Sequence, residues 1–145
     1  MLLILWFNVH HRFIKGVGSI KKIAFHATLT HELTLGPSQT VVFDHVITNN
    51  GNGYSSHSGL FTAPRDGTYY FTNSFLSGSG SVHLQMMRNA EVIGSGAGHP
   101  DNGSSGSMSA TVNLKKGDAV KIRHWKGIST QVVHAPFSMF TGFIL

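Results

Sequence analysis

The chain has 145 residues, enough for one domain around a single core. It holds 17 glycines and no cysteine, and its charged share of 12% is half the usual ~25%. The missing thiols exclude a disulfide framework, thiolate zinc sites and cysteine catalysis. The formal charge of +5 sits largely in residues 1–22, which carry Arg12, Lys15, Lys21 and Lys22 without an acid. The remaining 7 basic and 6 acidic residues leave the body near neutral, so net charge does not indicate a general nucleic-acid grip.

Residues 1–22 open with MLLILWF, an apolar run too short to span a bilayer. It has the hydrophobic part of a secretory signal without a basic start or a small-residue cleavage site. It is read as a leader, an atypical signal or a truncated upstream segment, and the folded domain as 23–145. No other stretch is apolar enough to be transmembrane.

From there on, period-two alternation recurs. Phe25, Ala27 and Leu29 share one face of a strand over 24–29. After the turns LGPS (35–38), NNGNG (49–53) and APRDG (63–67), a strand over 68–75 sets Tyr69, Phe71, Asn73 and Phe75 on one side. After SGSGS at 77–81, Val82, Leu84 and Met86 alternate with His83, Gln85 and Met87. The segments SGSGS and GSGAG lack the Lys and Ser/Thr of a phosphate cradle and read as hairpin or loop. Past GHPDNGSSG (98–106) come strands over 109–114 and, after KKGD (115–118), over 119–125. No window of 11 or more residues keeps a helical period. The pattern is all-β, a sandwich of about ten short strands.

The last strand, 137–145, is apolar on both faces: Phe137, Met139, Thr141, Phe143 and Leu145 on one, Ser138, Phe140, Gly142 and Ile144 on the other. One face can meet the core; the other needs a second sheet or subunit.

The middle of the chain has a specific spacing. Phe43 is followed by Asn49, Tyr54, Phe61 and then Gly67-x-Tyr69-x-Phe71. With AFHA (24–27), GLFTAPRDGTYYF (59–71), NLKKGDAVKI (113–122) and FTGFIL (140–145), this resembles the globular head of complement C1q, which shares its jelly roll with the tumour necrosis factor cytokines. The resemblance covers about 23–145. It implies a ten-stranded jelly-roll β-sandwich that assembles as a homotrimer. With no Gly-X-Y repeat, heads alone must hold such a trimer. Phe140, Ile144 and Tyr54 are its expected interface residues. Asn73 departs from the resemblance, standing where an aromatic is usual. It needs a hydrogen-bond partner on an inward face, so the core or the trimer contact there is expected to differ.

The resemblance also suggests calcium as a cofactor near the trimer apex, with Asp101 and the Asn102 amide as ligands. A Pro-Asp-Asn-Gly turn accounts for the same residues, and calcium wants six to eight oxygens. Asn102-Gly103-Ser104 is a glycosylation acceptor pattern, consistent with export.

Catalytic motifs are absent: no G-x-S-x-G, P-loop, H-E-x-x-H or G-x-G-x-x-G occurs. The expected role is binding rather than catalysis. Ten histidines invite a metal reading, but only His10 and His11 adjoin, and adjacent residues of an extended chain point apart. The candidate ligand face is KKGDAVKIRHWK, 115–126. Lys121, Arg123 and Trp125 share one strand face, with Lys126 at its end. An indole beside cations suits a sugar ring bearing carboxylate or phosphate; packing of Trp125 in an interface is the competing account. The leading expectation is a secreted, lectin-like pattern-recognition protein of innate immunity, binding microbial polysaccharide or lipopolysaccharide through a multivalent trimer. A cytokine-like or scaffolding trimer with a protein receptor is the alternative. A metal- or mineral-associated extracellular protein is the third.

Overall fold

The structure is a computed structural model and describes residues 20–99, 105–127 and 130–145. It is all-β, with ten strands: β1 Ala24–Thr28, β2 Leu33–Leu35, β3 His45–Asn50, β4 Phe61–Thr62, β5 Gly67–Ser79, β6 Val82–Arg88, β7 Glu91–Gly98, β8 Ser105–Leu114, β9 Ala119–His124 and β10 Gln131–Ile144. They form two antiparallel sheets. One runs β3-β1-β10-β5-β8, with β2 also paired to β10; the other runs β4-β9-β6-β7. From β3 onward the chain crosses repeatedly between the sheets, and strands distant in sequence pair, as β1 does with β10 (Phe25 opposite Gly142). This is a jelly roll.

Alternation places the core where the residue pattern requires it. Phe25, Phe43, Phe61, Tyr69, Phe71, Phe75 and Phe140 are all buried between the sheets. Phe25 is central: its ring centroid lies 4.8 Å from Tyr54, 5.1 Å from Phe61 and 4.8 Å from Phe140. Offset and edge-on pairs of this kind add about 0.5–1.5 kcal/mol each beyond the area they bury.

The spacing Phe43–Asn49–Tyr54–Phe61 has a single structural cause. Tyr54 is buried, so its hydroxyl must find partners. It donates to the Phe43 carbonyl (2.8 Å) and accepts from the Phe43 N–H (3.0 Å). Asn49 closes the turn from outside, its side chain donating to the Tyr54 carbonyl (2.8 Å) and accepting the Tyr54 N–H (3.1 Å). Burial pushes the Tyr54 phenol far above its ordinary value, so it stays a neutral hydrogen-bonding group. Two glycines serve this turn differently. Gly51 takes φ 85°, which favours glycine; at Gly53 an added Cβ would stand 2.5 Å from the Phe61 ring.

Several boundaries differ from the sequence reading. GSGAG is not a loop: it forms the end of β7, where Gly96 backs onto β8 so closely that a Cβ would meet the Ser107 carbonyl oxygen at 2.9 Å. The strand expected over 68–75 extends to Ser79 and the final one begins at Gln131, with pairing that shifts register between His134 and Met139. Asn73 is fully buried. Its Nδ2 donates to the Met139 carbonyl (2.8 Å), while Oδ1 has no hydrogen-bond partner among the described residues.

Candidate functional site

The outward face of the four-stranded sheet carries the candidate site. In β9 burial alternates, with Val120, Ile122 and His124 inward and Lys121 and Arg123 outward. Trp125 follows the strand, but its N–H donates to the His83 carbonyl (3.1 Å), so the ladder continues one step. Register then builds rows across the sheet. Gln85 stands opposite Arg123 and Ser95, Met87 opposite Lys121, and His83 opposite Ala97.

These rows enclose a shallow groove of about 300 Å³, walled by Trp125, His83, Gln85, Ser95 and Ala97, with Leu84 and Gly96 completing its lining. Trp125 is 41% exposed and its ring lies 5.8 Å from that of His83. The Arg123 Nε donates to Gln85 Oε1 (3.1 Å), which ties the guanidinium to the groove wall. The chemistry is therefore one open indole, an imidazole, an amide, a hydroxyl and a cation on a fixed sheet. Ring faces of this type take the apolar side of a sugar, and guanidinium takes its acidic substituents.

Behind the groove lies a polar relay. His124 is completely buried; its Nδ1 is 2.8 Å from the Gly36 carbonyl oxygen and its Nε2 is 2.9 Å from Gln131 Oε1. That same Oε1 accepts the backbone N–H of His83 (2.7 Å), and Gln131 Nε2 lies 3.3 Å from His83 Nδ1. At the groove's end the His83 and His99 rings meet edge to face at 5.9 Å, and Ser81 Oγ lies 3.0 Å from His99 Nδ1. Among the described residues, no three His or acidic side chains are grouped to hold a metal ion.

Of the residues expected from sequence, Lys121, Arg123 and Trp125 do share one face, and Trp125 is open rather than packed in the core. Lys126 is exposed in the turn beyond. Asp101 and Asn102 lie outside the described residues. Phe140 and Tyr54, expected at the trimer interface, are buried in the aromatic core of the single sandwich. Ile144 is partly buried and packs against the same core. The outward face of β10 is instead Met139, Thr141 and Phe143, with Phe143 38% exposed and its ring 5.5 Å from Tyr70 on β5. The sequence pattern separates these two faces correctly; only pairing with β1 and β5 shows which one turns inward. His83, Gln85 and Gln131 escape the sequence reading of the site. Alternation puts His83 and Gln85 outward, but their opposition to Trp125 and Arg123 depends on register, which no local pattern reveals.

Comparison with known proteins agrees with this architecture. The family described as C1q domain matches residues 24–145. The chain is 34% identical over 131 residues to a subcomponent of human complement C1q, covering 86% of this chain and 51% of that one. It is also 34% identical to the heavy metal-binding protein HIP of Mytilus edulis (85% and 60% covered) and 33% identical to mouse complement C1q tumor necrosis factor-related protein 3 (86% and 51%). The chain thus spans about half the length of most of these relatives. In structure it resembles the globular domain of zebrafish complement 1qA protein, with a TM-score of 0.72 at 23% identity, covering 86% of this chain and 98% of that one. Eiger TNF from S. frugiperda matches with a TM-score of 0.66 at 14% identity, covering 87% and 94%.

Proposed function

The chain belongs to the C1q domain family, and from that premise we propose that it is a secreted, lectin-like recognition head. It binds microbial polysaccharide or lipopolysaccharide through the groove on its four-stranded sheet. The observation that carries this reading is the open Trp125 indole on the same sheet face as Arg123, lining the groove. No helix among the described residues is long and apolar enough to cross a membrane.

The heads associate as a homotrimer through the outward face of the other sheet, where Phe143, Tyr70 and Met139 supply apolar surface. Three copies present three grooves, and multivalency raises weak sugar affinity by ~10²–10⁴ where geometry permits. Calcium at Asp101 and Asn102 belongs to the same proposal, supported by the family resemblance. Its check is a melting shift in millimolar calcium that Asp101→Ala abolishes; an unshifted wild-type protein removes the site.

A glycan array separates this reading from a protein-receptor trimer. Binding to acidic microbial glycans is expected, with Trp125→Ala weakening it at every salt concentration. Arg123→Ala should flatten its salt dependence, because screening acts on exposed charge attraction. Silence on glycans beside tight binding to a protein would favour the receptor reading. A second reading, metal capture, draws on the relative named as heavy metal-binding and on the edge contact of His83 with His99. Saturable zinc uptake lost in His83→Ala would favour it.

A further inference from the structure

We infer that Gln131, buried behind the groove, is a positioning residue that sets His83 as a hydrogen-bond donor and so selects acidic, acceptor-bearing sugars over metal ions. The selection of sugars rests on the groove being the ligand site.

The orientation of the Gln131 amide follows from its contact with the His83 backbone. An amide side chain has one oxygen that only accepts and one nitrogen that only donates. The backbone N–H of His83 points at one arm of Gln131 from 2.7 Å. A backbone N–H can only donate, so this shortest contact assigns that arm as the oxygen. Its nitrogen is then the arm 3.3 Å from His83 Nδ1. Since Nε2 of Gln131 donates, Nδ1 of His83 must accept, and the neutral ring carries its proton on Nε2. His124 lies buried beneath, its ring nitrogens against the Gly36 carbonyl and Gln131 Oε1; a neutral imidazole donates to one of these two acceptors.

His83 lines the groove, so a bound ligand meets an Nε2–H donor there. Gln85 and Arg123 flank it. This set suits a carboxylate or sulfate oxygen on a sugar whose ring lies against Trp125. It opposes metal ligation. A metal-bound imidazole needs a lone pair toward the ion and a proton on its other nitrogen, given to an acceptor behind it. Gln131 offers His83 Nδ1 a donor in that place. Replacing the amide by a carboxylate reverses the logic: Gln131→Glu supplies the acceptor, draws the proton to Nδ1 and turns the Nε2 lone pair outward.

Long-range ¹H–¹⁵N correlation spectra of the full chain identify imidazole tautomers directly. At about pH 8.5, above the ordinary imidazole range, wild-type His83 should be the Nε2–H form, and the Nδ1–H form in Gln131→Glu. An Nδ1–H wild type overturns the inference whether or not the groove binds sugar. The second arm uses oligogalacturonate and zinc chloride as probes. Gln131→Glu should lose at least tenfold in oligogalacturonate affinity and gain saturable zinc binding that His83→Ala removes. Gln131→Met adds no charge but deletes the donor; it should give mixed tautomers and several-fold weaker oligogalacturonate binding. Unchanged affinity in Gln131→Met refutes the positioning role. A wild type that shows the Nε2–H form yet ignores oligogalacturonate sinks the ligand assignment and leaves the tautomer standing.

Discussion

The two sheets of the sandwich share one aromatic core and differ in what they show outward. The strands of the six-stranded sheet contain no Lys, Arg, Asp or Glu at all; those of the four-stranded sheet hold Arg88, Glu91, Lys121 and Arg123. The first face offers Tyr70, Phe143 and Met139 among serines and threonines, with His26 Nδ1 and Thr141 Oγ1 in contact at 2.5 Å. The second offers an indole, imidazole and guanidinium around a groove. An uncharged, moderately apolar surface is suited to a copy of itself, because charge is depleted at interface cores. A surface of mixed rings and cations is suited to a foreign, acidic, hydroxylated ligand. Under the proposed function, one fold separates assembly from recognition by giving each its own sheet.

The sharpest break of that contrast uses two aromatics of nearly equal exposure, Phe143 at 38% and Trp125 at 41%. Phe143→Asp should place an unpaired charge in the proposed trimer contact, costing several kcal/mol, and yield monomers by analytical ultracentrifugation. Trp125→Asp should stay trimeric. Equal behaviour of the two variants, whichever it is, erases the division of labour. Tyr54 sharpens the comparison from between the sheets. Tyr54→Phe leaves the Phe43 N–H and carbonyl unpaired in the core, a loss of about 1–3 kcal/mol. Denaturant unfolding followed on both faces should move as one transition; two separate midpoints would mean that the faces are not coupled through the core.

The smallest effect is electrostatic and appears on both sides. Partial burial would raise the Asp44 carboxyl, yet hydrogen bonds from the Thr30 hydroxyl and backbone N–H outweigh it and hold it below its ordinary 3.8. Asp118 is also lowered, by the Lys115 N–H and then the Asn89 amide. A carboxylate whose folded value is depressed stabilises the fold above its unfolded value and loses that contribution as pH falls through the folded one. Melting temperature should therefore drop on acidification below the ordinary 3.8 of these carboxyls, and the drop should shrink in Asp44→Asn and in Asp118→Asn. An acid limb unchanged in both variants would contradict these assignments.

Much of this is legible in the residues. Alternation locates the long strands, and the spacing from Phe43 to Phe71 carries the family. Both are local signals: a two-residue period and fixed gaps between aromatics that meet in one turn. What is not legible depends on pairing. Phe140 and Phe143 belong to opposite faces in any reading of the final strand, but which face is inward follows from β1 and β5 lying beside it. GSGAG reads as a loop because glycine is a poor strand former; it is a strand because it pairs with β6, and Gly96 admits the close approach of β8. The groove is half visible. Lys121, Arg123 and Trp125 lie within five residues of each other, whereas His83 and Gln131 reach them from elsewhere in the chain.

Gly96 sets a limit on how this surface can change. Its Cβ position is already occupied by the Ser107 backbone, and its partner Leu84 turns its side chain into the core. The bottom of the groove is therefore bare main chain, held at a fixed depth by the meeting of the two sheets. Substitutions at positions 83, 85, 95, 97 and 125 re-line the walls and would change which ligand the proposed site accepts. A side chain at position 96 would point at β8 and press the two sheets apart rather than enter the groove. If the groove is the ligand site, its selectivity rests on the rim, while the main chain beneath is fixed by the packing of β7 on β8.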